Sequence, residues 1–531
     1  MFNKTKSLLN NRYFISFLLG SFSALSFAPI YFIPSAIIAF SGLFLLSKDC
    51  KNNKESFWIG YLFGFGQFIF GLYWISISLF VDISKFFWLL PFALFLIPAV
   101  LAIYIGLTLL TTNYLAKKFN ISNWRKIILL AVIWVFFEYL RGILFTGFPW
   151  NLLGYSFLFS TALSQTASVI GVLGLSLIAV VFYSSPALFL QIKNRKIKFY
   201  LDKKSKPFLV SISVLIVLMA ISGISRINNF KDEYLPSATF RLVQPAIKQS
   251  DKWDARSQYE SFLESIRLSH KEGFEDVNYV IWSESAVPYL IDPKTSFGLI
   301  AKIASASPPK GFIITGALRA ESEVESKENS KEITKLWNSI FVINSDEKII
   351  ENYDKNHLVP FGEYIPFSDF LPFISKITNG SINFSEGSGL KTITLNSETP
   401  SFSPLVCYEA IFSGNVIDRN NPPEFLLNLT NDAWFGSSSG PYQHFDMVKM
   451  RSIEYGLPTI RVANNGISGI INPIGKVPAL IPLNQKGILD VMLMKNLPST
   501  IYGKFGNKII FWIGLILFAF ALFGTTKKYS V

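Results

Sequence analysis

Hydrophobic and polar positions fall into two regimes along this chain. Up to about residue 225 the sequence is a succession of apolar runs, each near the ~20 residues a helix needs to cross a bilayer. They lie at about 13–29, 31–47, 56–80, 86–112, 126–145, 164–192 and 207–224, and an eighth runs from about 508 to 524. From about 236 the runs become short and β-rich, separated by polar or helical stretches. The pattern predicts strands at "TFRLVQ" (239–244), "VNYVIW" (277–282), "GFIITGAL" (311–318), "WNSIFVIN" (337–344), "FSPLVCYEA" (402–410), "EFLLNLT" (424–430), "PTIRVANN" (458–465) and "SGIINP" (468–473). Several are apolar throughout, which suits strands buried on both faces. "DARSQYESFLESIRLSHKEG" (254–273) reads as a helix, and the charged segment 320–335 ("AESEVESKENSKEITK") as an exposed loop. An α/β domain with helices covering stacked sheets is expected. The division that follows is a membrane domain over 1–225 with transmembrane helices 1–7, an extracytoplasmic domain over 226–500, and an eighth helix with a cytoplasmic tail over 501–531.

Composition agrees with the membrane reading. The chain is 50% hydrophobic and only 16% charged, against about 25% in soluble chains. A net charge of +13 could signal nucleic acid, but that needs basic residues gathered on one folded surface. Here they sit in short stretches between apolar runs. With the N-terminus inside, the inner segments carry Lys4, Lys6 and Arg12; Lys48, Lys51 and Lys54; Lys117, Lys118, Arg125 and Lys126; then a dense loop from Lys193 through Arg195, Lys196, Lys198, Lys203 and Lys204 to Lys206; and finally Lys527 and Lys528. The outer loops of the first seven helices offer little beyond Lys85 and Arg141. This is the positive-inside asymmetry, and it puts residues 225–507 outside. The run after Arg12 has no good small-residue cleavage site and reads as a retained helix rather than a signal.

That topology bears on the two cysteines. Cys50 falls on an inner loop and Cys407 in the outer domain, so they cannot pair within one molecule. A lone cysteine is often a small buried hydrophobe, but in an oxidising compartment it risks unwanted disulfides, which favours a functional thiol. The histidines, His270, His357 and His444, form no HxxxH or HExxH, and no CxxC exists, which argues against zinc. "GSSSG" (436–440) matches a nucleophile-elbow string around Ser438, yet His444 is the sole histidine downstream and no acid lies between, so a Ser/Gly loop is the better reading. No GxxxxGK[ST] phosphate loop is present. Three spots remain where an apolar strand runs into a polar cluster: Glu284 in "VIWSESAVP", Lys355 and Glu363 in "NYDKNHLVPFGEYIP", and Cys407 in "LVCYEAIF". Active-site groups commonly sit at such strand ends. A thiol needs a base or a depressed pKa to attack a carbonyl, and the tetrahedral oxyanion needs a cation or N–H nearby. Carboxylate, ammonium and thiol form a complete set without histidine.

These motifs, with "NDAWFGSSSGPYQH" (431–444), "RSIEYGLPTIRVANNGIS" (451–468), "FAP" (27–29) and "GFPWNLLGY" (147–155), resemble the nitrilase superfamily and, within it, the membrane-bound apolipoprotein N-acyltransferases. The similarity covers essentially the whole chain. It implies a four-layer αββα sandwich joined to eight transmembrane helices. By the same resemblance Cys407 would be the nucleophile, Glu284 the general base and Lys355 the oxyanion-stabilising group. Glu363, Tyr408 and Glu409 would support the site, and Trp253 would line the path of the acyl chain. Where the family often has Trp-Pro-Glu, this chain has Ser283 before Glu284, which bears on the turn but leaves the carboxylate. The implied reaction moves an acyl chain from a phospholipid, phosphatidylethanolamine foremost, through a cysteine thioester to the N-terminal amine of a diacylglyceryl-modified apolipoprotein. No cofactor or metal is expected, and the chain is expected to act as a monomer. Its implied place is the bacterial inner membrane, with both termini cytoplasmic and the catalytic domain periplasmic. Extracting a diacyl lipid into water would be costly, at about 0.8 kcal/mol per CH₂; the aromatics of 361–373 would suit an arm toward lipid or an ordinary core. Two rivals are a membrane-tethered amidase hydrolysing a small soluble amide and a transporter or scaffold with an inert outer domain. Transporters show intramembrane charges or repeats, whereas here Glu138 and Arg141 are the main such pair.

Overall fold

The computed structural model describes residues 11–193, 196–200, 203–249, 255–324, 331–366, 382–396 and 398–523. Close contacts sort the chain into two compact units. One comprises Met1–Phe80, Ser84–Asn229 and Ile501–Val531; the other comprises Val81–Ile83 and Phe230–Thr500.

The first unit is helical: Arg12–Ser23, Ile33–Lys48, Asn53–Leu72, Ile97–Lys118, Asn123–Arg141, Ala167–Ser184, Lys206–Asn229 and Lys508–Phe523. Among the described residues, four helical stretches are long and apolar enough to cross a membrane: Asn53–Leu89, Phe92–Lys118, Ala167–Phe189 and Lys203–Asn229. Ile33–Lys48 and Lys508–Phe523 are apolar but shorter. Small residues set the packing. A Cβ on Gly60 would lie 2.6 Å from the Ile105 carbonyl, so glycine lets helices Asn53–Leu72 and Ile97–Lys118 approach closely. The dense basic loop includes the antiparallel pair β1 (Leu190–Lys193) and β2 (Lys196–Phe199). Glu138 and Arg141 hold backbone: the Glu138 carboxylate accepts from Trp134 Nε1 at 3.0 Å and Leu153 N–H at 2.8 Å, while Arg141 donates to the carbonyls of Phe148 and Trp150. They staple the segment 148–153 to their helix.

The second unit contains two sheets. The seven-stranded sheet holds β3 (Tyr234–Gln244), β4 (Tyr279–Ile281), β5 (Val287–Ile291), β6 (Phe312–Val324), β7 (Lys331–Asn344), β8 (Ile349–Asp354) and β14 (Gly487–Met494), ordered β14-β3-β4-β6-β7-β8 with β5 also on β6. The five-stranded sheet runs β13-β12-β11-β10-β9, from β9 (Phe402–Val406), β10 (Phe425–Thr430), β11 (Thr459–Ala463), β12 (Ser468–Ile471) and β13 (Ala479–Ile481). The sheets face each other through one apolar core. Phe240, Leu242, Tyr279, Ile281, Ile340 and Val342 meet Val406, Leu427, Leu429, Ile460 and Val462 there. The opposite parity of the first sheet, with Val243, Val280, Ile313, Phe341 and Ile343, is covered by Phe262 and Leu268 of helix Ala255–Ser269 and by Ile300 and Ile303 of helix Phe297–Ala304. Helix Gly440–Tyr455 packs on the second sheet, with Ser452 bonded to Thr459 of β11 at 2.7 Å. Burial on both faces explains the unbroken apolar runs, and the layers read helix, sheet, sheet, helix.

Two expectations need correction. The charged segment 320–335 is exposed over Thr334 and Lys335, but it is not simply a loop: β6 and β7 extend into it, pairing Glu321 with Lys335 and Val324 with Lys331. Charge is no bar to a ladder that projects beyond the core. The strand expected over 402–410 stops at Val406, because Cys407 turns into the left-handed region at φ 49° and opens a 3₁₀ turn, Cys407–Ile411.

Candidate active site

Four strands of the two sheets deliver the polar groups. Glu284 follows β4, Lys355 follows β8, Asn338 lies on β7, and Cys407 follows β9. Trp282 N–H bonds to Ile314 O at 2.9 Å, and Gly316 N–H bonds to Ser283 O at 3.2 Å, so the chain carrying Glu284 continues along β6 after β4 has ended. A Cβ on Gly316 would come within 2.6 Å of Ser285 N and 2.7 Å of Glu284 Cα. Glycine is what lets this backbone lie so close. Ser285, like Cys407, has a positive φ, 47°. Such conformations cost about 1–3 kcal/mol each and persist where their surroundings hold them.

The side chains link into a chain of hydrogen bonds. Asn338 Nδ2 donates to Glu284 Oε1 at 2.8 Å and to Glu363 Oε1 at 2.9 Å, and Lys355 Nζ donates to that same Glu363 oxygen at 2.9 Å. Glu363 Oε2 accepts from Val359 N–H at 2.8 Å. All four side chains are buried, Lys355 at 1% exposure. Burial alone would pull the Lys355 ammonium down, but Glu363, Glu284 and a Cys407 thiolate hold it above the ordinary lysine range. Lys355 is therefore a fixed cation. Burial, aided by the Glu284 carboxylate, pushes the Cys407 thiol up against the pull of Lys355. At neutral pH the sulfur keeps its proton until a base removes it. Thiol, carboxylate and ammonium, all buried, thus act on one another's charge.

Glu409 joins the Lys355 and Cys407 segments. Its Oε1 accepts from Tyr353 Oη at 2.8 Å, Asn356 N–H at 2.8 Å and His357 N–H at 3.1 Å, and its Oε2 accepts from Val406 N–H at 2.7 Å. Tyr408 is buried, with its ring 5.1 Å from Phe412 and 5.9 Å from His357. Behind Lys355, Arg319 grips Asp354 in a two-point bond and lies 3.6 Å over the Trp337 ring. Trp253 lies outside the described residues, as do residues 367–373 of the aromatic stretch.

Sequence reasoning missed several members. Asn338 shares its β7 face with Ile340 and Val342, so a polar residue on the inward parity of an apolar strand was the available signal. Beyond Cys407 stands a fully buried cluster. His444 Nε2 is 3.2 Å from Cys407 O, His444 Nδ1 is 2.9 Å from Asp432 Oδ1, and Arg461 Nη2 donates to Asp432 Oδ2 at 2.7 Å. Despite burial, Arg461 and His444 lower Asp432 to about 2, while burial and Arg461 lower His444 below the ordinary histidine range. These residues stand in the quoted 431–444 and 451–468 motifs, but spacing alone gave them no role. Among the described residues, no group of three His, Cys, Asp or Glu could hold a metal ion.

The buried thiol at the end of β9 and the carboxylate and ammonium segments all fall within residues 239–497, which match the carbon–nitrogen hydrolase family. Residues 19–184 match the apolipoprotein N-acyltransferase N-terminal domain. Apolipoprotein N-acyltransferase of Rickettsia typhi is 37% identical over 495 residues, covering 93% of this chain and 94% of that one. The same-named enzymes of Rhodopseudomonas palustris and Brucella suis are 34% and 32% identical, covering 93% and 90% of this chain and 91% and 89% of theirs. An amidase of the nitrilase superfamily from Nesterenkonia AN1, solved as a mutant, aligns over 50% of this chain and 94% of its own at 11% identity and TM-score 0.35, too slight to carry an argument. The chain belongs to the apolipoprotein N-acyltransferase family of enzymes.

Proposed function

We propose that this enzyme moves an acyl chain from a phospholipid to the N-terminal amine of diacylglyceryl-modified apolipoproteins, with Cys407 as the carrier. The observation that carries the mechanism is the buried, charge-coupled set of Cys407, Glu284 and Lys355, with Asn338 and Glu363 linking the carboxylate to the ammonium. Glu284 takes the thiol proton as Sγ attacks the ester carbonyl carbon of the donor, phosphatidylethanolamine foremost. The oxyanion forms beside the Lys355 ammonium. The C–O bond then breaks, the departing lysophospholipid oxygen takes the proton from Glu284, and a thioester remains. In the second half the apolipoprotein α-amine attacks the thioester, gives its proton to Glu284, and the C–S bond breaks as Cys407 regains a proton. Glu363, Tyr408 and Glu409 hold this arrangement, and Trp253 lines the acyl path.

In this reading residues 1–225 and 501–531 form an eight-helix domain in the bacterial inner membrane, with both termini cytoplasmic. Residues 226–500 form the periplasmic catalytic domain, and the enzyme works as a monomer. The lysine and arginine asymmetry and the four long apolar stretches support it. The test is incubation of purified enzyme with acyl-labelled phosphatidylethanolamine and a diacylated lipopeptide. Label should reach the peptide amine in wild type and not in Cys407→Ala. Release of free acid with no peptide labelling, or hydrolysis of small amides alone, would instead support the tethered amidase.

A further inference from the structure

His444 is buried in the first half of helix Gly440–Tyr455, and its Nε2 lies 3.2 Å from the carbonyl oxygen of Cys407. The imidazole is itself held from the five-stranded sheet. Arg461 of β11 donates to Asp432 Oδ2 and approaches His444 Nδ1 at 3.3 Å, while Thr430 at the end of β10 donates to Asp432 Oδ1 at 3.1 Å. Asp432, His444 and Arg461 are each 0% exposed. Each ring nitrogen faces an oxygen, Nδ1 that of Asp432 Oδ1 at 2.9 Å and Nε2 that of Cys407 at 3.2 Å, so either single tautomer leaves one pair of acceptors in contact. The positioning role takes the Nε2–H form, in which Cys407 O accepts from His444 and Arg461 Nη2 donates toward both Nδ1 and Asp432 Oδ2.

That contact falls on a strained joint. Cys407 sits at φ 49° between a strand and a 3₁₀ turn, a conformation that persists only when its surroundings enforce it. In a planar trans peptide the C=O and N–H point in opposite directions. Fixing the Cys407 carbonyl therefore also fixes the N–H of Tyr408. In strand–nucleophile–helix turns the N–H following the nucleophile faces the developing oxyanion.

We propose that His444 is a positioning residue for acyl transfer: by holding the Cys407 carbonyl it keeps the Cys407–Tyr408 peptide turned so that Tyr408 N–H, together with Lys355, meets the oxyanion of both tetrahedral intermediates. Asp432 and Arg461 set the ring. This assignment rests on the acyl-transfer reading.

The test compares two reactions of one sulfur in a Cys50→Ala background. Thioester formation from phosphatidylethanolamine passes through an oxyanion; alkylation by iodoacetamide does not. His444→Leu should slow single-turnover thioester formation about 10²-fold, the usual cost of one oxyanion donor, and leave alkylation near the parent rate. His444→Gln, whose amide reaches the place of Nε2, should recover most of the loss, whereas His444→Asn, whose amide reaches only Nδ1, should not. The Gln/Asn comparison stands even where the Leu variant fails to fold. Three results would overturn the assignment: a normal thioester rate in the Leu variant, a parallel fall in alkylation, or equal rates for Gln and Asn. No thioester on the parent enzyme would instead take down the acyl-transfer reading.

Discussion

Glu409→Gln isolates the joint between the lysine and the thiol. Four donors converge on this carboxylate, three on Oε1 from Tyr353, Asn356 and His357, and one on Oε2 from Val406. Glutamine offers one acceptor oxygen and one amide donor. Turned to keep the three donors, its NH₂ faces Val406 N–H, two donors in contact; turned the other way it keeps one bond and loses three. The first orientation wins. It leaves one buried N–H unpaired, about 1–3 kcal/mol, and weakens three charge-assisted bonds to neutral ones at roughly 0.5–1 kcal/mol each. Against this, burial raises Glu409 above the ordinary carboxylate range, so part of the charge's desolvation cost is recovered on neutralisation. The balance is a loss of about 2–3 kcal/mol, which in a unit of this size lowers the melting temperature by roughly 5–10 °C. Val406 adjoins Cys407 and Asn356 adjoins Lys355, so the slack opens between sulfur and ammonium. A misplacement near 1 Å costs about 10²-fold in rate. Thermal melting of detergent-purified protein and single-turnover thioester formation are the assays. A variant that melts and acylates like wild type would refute the idea that Glu409 couples the two segments.

Other outcomes follow from the same geometry. Gly316→Ala places a Cβ within 2.7 Å of the Glu284 backbone and should depress acylation while costing about 1–3 kcal/mol in stability; unchanged kinetics would mean that the close approach is not needed. Glu284→Gln should slow thioester formation about 10²–10⁴-fold, the usual contribution of a general base, and near-normal single turnovers would remove it from the mechanism. Because burial and Glu284 raise the Cys407 thiol, less thiolate exists at any given pH than for a free cysteine. Its alkylation should still be climbing at the ordinary midpoint of about 8.5, and a plateau below that pH would contradict the burial argument.

The sandwich was legible because strands covered on both faces must be apolar at every position, as in "VNYVIW" and "EFLLNLT". The turn at Cys407 was not legible, since Val-Cys-Tyr reads as continued strand and only the bonds to Glu409 and His444 reveal what holds φ positive. Glu284, Lys355 and Cys407 stood out as polar groups at strand ends. Their convergence depends on sheet pairing between residues far apart in sequence, which spacing does not encode. Asn338 shows this best: it lies 54 residues from Glu284 and 25 from Glu363, yet donates to both. The hairpin beyond Ala320 was hidden for the opposite reason, because its ladder is held by backbone pairing rather than by an apolar face.

The most direct test of the central claim is peptide-resolved mass spectrometry of enzyme quenched during reaction with phosphatidylethanolamine of one defined acyl chain. The expected result is the mass of that acyl group on the peptide containing Cys407, removed by hydroxylamine and discharged by a diacylated lipopeptide. An unmodified Cys407 in enzyme that nonetheless acylates the peptide, or an adduct on Cys50 instead, would contradict it.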